Sequence, residues 1–250
     1  AEPVIIKEAS AYIRIIFMGL PFMFGFFIFS SILRGIGDTI TPAIMMVVSV
    51  VLNIILDPIL IFGIGPFPEF GVQGAAIATI FSRGIVTIYA AYLLIRGIKG
   101  LKLTLNNMMP NFDIIKLIVR IGFPSSIEQS MISLGQLIMT TLVTSFGTMT
   151  LAAYGIVNRV ISVPIILAFG LAAATTTMVG QNIGNDKKER AEKTAVISIY
   201  TIFGTLTLIG IVFVVFPELI VGIFNKAPDV LKYGGKYLRI TGLTVGFIGV

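Results

Sequence analysis

Across residues 42–64 the chain carries one charged side chain, Asp57, and nearly every other residue is aliphatic. A helix of that length, apolar on all sides, is unstable in water and matches a lipid bilayer, whose hydrocarbon core takes about 20 helical residues to cross. Comparable runs recur along the chain. They give seven candidate spans: residues 12–33, 42–64, 72–95, 114–146, 151–179, 191–216 and a last one starting near Tyr237. The fourth and fifth are longer than one crossing needs. The expected fold is an all-α membrane protein. Charged residues make up 12% of the chain, against roughly 25% in a soluble domain, too few to clothe a water-facing surface.

The residue types present exclude much chemistry. Cys, His and Trp are all missing. Without Cys there is no disulfide or thiolate metal site. Without His the usual general base and metal ligand are gone. No P-loop, HExxH or GxSxG motif occurs, so an enzyme is not expected and ATP is not the direct energy source. The net charge of +6 sits in short linkers, which points to membrane topology and not to nucleic acid. Arg34, Arg96, Lys99, Lys102, Lys116, Arg120, Lys187, Lys188, Arg190 and Lys193 flank the linkers after the first, third and fifth spans. The positive-inside rule therefore predicts that those linkers face the cytoplasm, in an inner (plasma) membrane.

The stretch beginning at Ile5 and the stretch beginning at Val230 share a pattern. Lys7 matches Lys232, Tyr12 matches Tyr237, Arg14 matches Arg239, Ile15 matches Ile240 and Phe22 matches Phe247. The last span is then a repeat of the first. Six helices make one period, and two parallel halves form a protein of about 450 residues. The chain opens without Met and ends in an apolar run, so an internal piece of a longer protein is expected. The predicted organisation is residues 1–97 in one lobe, 98–113 as a cytoplasmic linker and 114–250 in a second lobe.

The strings RGIGDTITP, LNIILDPILIFGIG, GVQGAAIATIFS, IGFPSSIEQS, LAAYGIVNRV and VGQNIGNDKKERA, in this order, resemble the multidrug and toxin extrusion (MATE) family, and within it the prokaryotic branch related to the DNA-damage-inducible F proteins. The resemblance covers nearly the whole chain. It implies a twelve-helix, two-lobe transporter of which this chain holds about helices four to ten. It also implies export of cationic or amphipathic small molecules in exchange for Na⁺ or H⁺, with no other cofactor and no obligate protein partner.

Asp57, Asn53 and Ser49 recur at four-residue intervals and share a helix face. A carboxylate inside a span needs a partner or a wet cavity. With an amide oxygen beside it, it suits Na⁺; alone, it can take a proton. The plainer alternative is an Asp that caps a neighbour near Pro58. The resemblance implies that the Asn and Asp of this N-x3-D motif line a cation site, with Thr79 as the matching residue on the next helix and a further Asp on a helix outside this chain. Arg83 departs from the family, which more often has an uncharged residue there. Counted from the connecting loop it lies near the depth of Asn53, so it is a possible ion-pair partner of Asp57; the alternative is an Arg snorkelling to the surface. Glu128, Gln129, Ser133 and Gln136 on the fourth span, with Tyr154 and Asn158 on the fifth, are candidates for a second-lobe site or substrate cavity. The competing reading is polar helix packing.

Two other functions compete. A lipid-linked oligosaccharide flippase shares a similar lobe plan and is favoured by a cationic cavity, to which Arg83 and Arg159 would contribute. A seven-helix receptor fits the number of spans but not the repeat.

Overall fold

A computed structural model describes residues 3–104 and 109–249. The chain divides into two compact units, Ala1–Met109 and Pro110–Val250. The described residues are helical apart from turns and one isolated bridge, Ile98 to Leu101.

The first unit holds α1 (Pro3–Met18), α2 (Leu20–Gly35), α3 (Ile40–Phe62) and α4 (Val72–Arg96). Residues 12–33, expected as one span, form two helices bent by 44° at Gly19. Pro21 is the physical cause. It has no N–H for the carbonyl of Phe17, and its ring collides with that carbonyl, so a continuous helix is broken there. α4 is the central element and packs on α1, α2 and α3. Its buried positions are mostly small: Gly74, Ala76, Ala78, Ser82, Gly84, Val86 and Ala90. Helices surrounded by lipid gain little from hiding apolar surface from one another, so small residues that permit close backbone approach favour packing. A Cβ on Gly74 would overlap the carbonyl of Leu60 on α3. Phe29, Leu33, Met45, Val86 and Ala90 form the apolar core at the other end.

The connector expected at 98–113 is partly a component of this unit; its residues 105–108 lie outside the described ones. Ile98 and Leu101 exchange two backbone hydrogen bonds of 2.8 Å, and Leu103 N–H donates to the Leu94 carbonyl. Lys99 and Gly100, inside that tight turn, both have positive φ, 48° and 85°. For Lys this costs about 1 kcal/mol or more. The side chain gains an offsetting contact: Lys99 Nζ lies 2.8 Å from Asp38 Oδ2. Asp38 is 4% exposed and caps the start of α3, accepting from Ile40 N–H, Thr41 N–H and the Thr41 hydroxyl. These donors, with Lys99 foremost, hold its carboxyl far below the usual carboxylate range.

The second unit holds α5 (Phe112–Thr144), α6 (Thr148–Gly184), α7 (Lys188–Val215), α8 (Pro217–Phe224), α9 (Pro228–Thr244) and a 3-10 turn, Val245–Gly249. α6, α7 and α9 form the bundle around Ala153, Val157, Val160, Ile161, Phe213, Val221, Val230 and Leu238. α7 and α9 cross at Gly210 and Gly242, where backbone meets backbone. α5 packs only on α6 and buries no residue within the unit. At about 1.5 Å per residue, the 37 residues of α6 exceed a bilayer core. The two repeat-related helices have matching limits. α1 starts at Pro3 and α9 at the equivalent Pro228, and both end within one residue of the same repeat position.

Among the described residues, the expected seven spans become four helices long and apolar enough to cross a membrane, α3, α4, α6 and α7, with the bent α1–α2 pair as a fifth. α5 falls short because Asp113, Lys116, Arg120, Glu128, Gln129 and Gln136 interrupt it. α9 falls short at 17 residues, with Lys232, Lys236 and Arg239 along it.

The Asp38 cluster yields a stability prediction. Asp38→Ala removes both a helix cap and an ion pair and is expected to cost about 2–4 kcal/mol. Lys99→Met leaves the cap bonds in place but strands a buried carboxylate without its cation, and costs a comparable amount. Asp38→Asn, which keeps an acceptor for the cap and removes the buried charge, costs least of the three. Thermal melting in detergent checks the order. The contribution is full above the unfolded Asp pKa and is lost only as pH falls through strongly acidic values, because the folded value is depressed.

Candidate functional site

Asn53 and Asp57 sit one turn apart on α3, where the four-residue spacing puts their side chains on one face. Asn53 Nδ2 donates to Asp57 Oδ1 at 3.0 Å and reaches Thr79 Oγ1 on α4 at 3.5 Å, the outer limit for such a bond. Thr79 commits its proton to the carbonyl of Ala75, 2.9 Å away, so its oxygen faces Asn53 as an acceptor. All three side chains are half-buried. Pro58, inside α3, has no N–H to give the Ile54 carbonyl. A carboxylate, an amide, a hydroxyl and a freed carbonyl thus lie within about one turn of α3. Oxygen donors of this kind suit a hard monovalent cation, and the carboxylate alone suits a proton.

Next to this trio is a cavity of about 50 Å³ lined by Met46, Ser49, Val50, Asn53, Thr79, Ser82 and Arg83. It has room for water or a small ion and none for a drug. Ser49 joins the face it was expected to share. Ser82, fully buried and bonded to the Ala78 carbonyl, was not anticipated; its only signal was a hydroxyl one residue before Arg83. Arg83 lies at the expected depth, beside Asn53 and Thr79, but Asp57 and Arg83 form no ion pair. The ion pairs among the described residues are Lys99–Asp38 and Arg239–Glu218. Arg83 lines the cavity with Ser49 and Asn53, and Asp57 is not among the lining residues.

In the second unit the expected residues do not converge on one place. Gln129 and Ser133 line an open groove with Ser126, Ser130, Leu134 and Leu137. Glu128, Gln136 and Asn158 are exposed and line neither this groove nor the next cavity. The hydroxyls of Ser126, Ser130, Ser133 and Thr140 bond back to carbonyls of their own helix. Tyr154 belongs to a separate cavity of about 200 Å³ with Met139, Val143, Thr150, Ala153, Tyr233 and Tyr237. It stacks on Tyr237, ring centroids 5.7 Å apart. Tyr233 and Tyr237 were not anticipated as lining residues; their four-residue spacing on one helix was the available signal.

A family-wide sequence model described as MatE matches residues 1–59 and 124–250. The chain belongs to the MatE family. Asn53 and Asp57 fall in the first matched stretch, while Thr79 and Arg83 lie in the interval between the two. The probable multidrug resistance protein NorM of Thermotoga maritima is 34% identical over 98% of this chain and 52% of its own length. The probable multidrug resistance protein YoeA of Bacillus subtilis is 31% identical over 95% of this chain and 52% of its own. A solved outward-facing multidrug resistance MATE family transporter superposes with a TM-score of 0.87 at 26% identity, covering all of this chain and 55% of that one. The chain therefore spans about half the length of the curated relatives it matches. MatE membership sets aside the seven-helix receptor and lends the flippase no support.

The α3–α4 crossing holds the trio together, which gives a second prediction. Gly74→Ala forces the helices apart at Leu60 and is expected to cost about 1–3 kcal/mol. It should also weaken any function that needs Asn53 against Thr79. Gly35→Ala, where a Cβ meets nothing within 4 Å, is the neutral control in the same melting assay.

Proposed function

We propose that this MatE chain is part of a cation-coupled antiporter that exports cationic or amphipathic compounds by alternating access. The observation that carries the reading is Asp57, an acidic side chain inside an apolar helix, hydrogen-bonded to Asn53, which in turn reaches Thr79 on the neighbouring helix. Holding a carboxylate in that setting is costly unless it binds something positive. A Na⁺ or H⁺ that binds one conformation more tightly than the other shifts the equilibrium between them, and that differential affinity is what couples an ion gradient to export. The names of the relatives support small-molecule efflux.

In the full-length protein reconstituted in liposomes, Asp57→Asn should reduce ion-driven efflux of a cationic dye at least tenfold, with unchanged expression and melting temperature. Unaltered dye efflux and unaltered response to Na⁺ and pH gradients would sink the assignment. Orientation is tested separately. The chain has no Cys, so single Cys substitutions in it, placed in a full-length protein whose remaining Cys are replaced, report topology. Lys187→Cys should react with an impermeant thiol reagent only from the cytoplasmic side, and Phe67→Cys only from the opposite side.

A further inference from the structure

Arg83 is the one charged residue of α4 before its last turn. A guanidinium is a planar, delocalised positive charge. Such a group inside a span is retained where a counter-charge or a wet cavity receives it. It is half-buried and lines the small cavity shared with Asn53 and Thr79, without an ion pair to Asp57 or to any other described carboxylate. The oxygen donors that a coupling cation would use are thus already next to a fixed positive charge. Among the described residues of this chain, the cavity's other lining residues, Met46, Ser49, Val50 and Ser82, bring no negative charge to balance it.

We propose that Arg83 is a tethered cation that sets the affinity of the Asp57 site for Na⁺, holding it low by occupying the charge and the space a free ion would need. The inference rests on the reading of Asp57 as the coupling site and adds the residue that tunes it. With Asn53 Nδ2 already given to Asp57 and Thr79, a Na⁺ must turn that amide to use its oxygen, in a cavity of about 50 Å³ that Arg83 also lines. A like charge lining the same small cavity, at an effective dielectric near 20, weakens binding by roughly ten- to a hundredfold. Without a contact ion pair, Asp57 offsets that charge only in part. A Lys at the same position would keep the charge and hence the low affinity. An uncharged side chain of similar length would release it.

The test uses the full-length protein in detergent, titrated with NaCl against choline chloride at constant ionic strength. Na⁺ binding is read by ²²Na⁺ retention and by Na⁺-dependent rise in melting temperature. Arg83→Gln and Arg83→Met should each bind Na⁺ at least tenfold more tightly than the parent, and Arg83→Lys should match the parent. The gain should vanish in the Arg83→Gln, Asp57→Asn double variant. Using two neutral variants keeps the test decisive if one fails to fold. The proposal is overturned if both neutral variants stay within twofold of the parent, if Arg83→Lys gains as much as Arg83→Gln, or if the gain survives loss of the Asp57 charge. Dye efflux by Asp57→Asn alone separates the two readings. If that variant is inactive while the Arg83 variants bind Na⁺ like the parent, the tethered-cation inference fails and the coupling role of Asp57 stands. If Asp57→Asn transports normally, the coupling reading fails instead.

Discussion

Inside hydrocarbon a backbone N–H or carbonyl has no water to bond, so every one of them must find its partner within the chain. Helices meet that demand along their length and fail at their ends, at prolines and wherever two helices must touch. Much of the specific side-chain chemistry here lies at those places. Asp38 caps the start of α3 and holds Lys99 of a strained turn. Asn111 caps α5. Most Ser and Thr hydroxyls bond back to a carbonyl one turn earlier in their own helix, as at Ser133, Thr176 and Thr201. Against that background the bonds that cross between helices stand out among the described residues: Asn53 to Thr79, Thr87 to the Phe22 carbonyl, and Arg239 to Glu218. The first two involve α4.

α4 is therefore the organiser of the first unit. Its small residues let α3 approach until Gly74 lies against Leu60, and that closeness brings Thr79 within reach of Asn53. The same approach carries Arg83 into the cavity beside them. Packing and chemistry are linked through one crossing. In the second unit the corresponding close contact is the Gly210–Gly242 crossing of α7 and α9, but the polar residues of α5 take no part in it. The chain spans about half of its relatives.

The trio on α3 and α4 was legible because four-residue spacing places side chains on one face whatever the tertiary fold, and because a carboxylate in an apolar run demands an explanation. The resemblance then pointed to Thr79. The second-lobe candidates were less legible for the converse reason. Gln129, Ser133 and Gln136 share a face, yet periodicity does not say what that face meets. The structure leaves it exposed and sends Tyr154 to a tyrosine-lined cavity instead. Arg83 shows the divide within one residue: counting from the loop put it beside Asn53, where it lies, while the absence of a pair with Asp57 came only from the structure.

By itself the sequence determined that this chain is helical, membrane-embedded and poor in catalytic groups, and it located Asn53 and Asp57 as a unit. Those are properties of composition and of helical periodicity, which act locally. Only the tertiary structure decided that part of the connector belongs to the first unit through Lys99 and Asp38, and that Arg83 sits beside the candidate site without pairing to it. Each of those depends on how helices turn and cross, and in a bilayer that is settled by close packing between backbones, which no run of residues specifies alone.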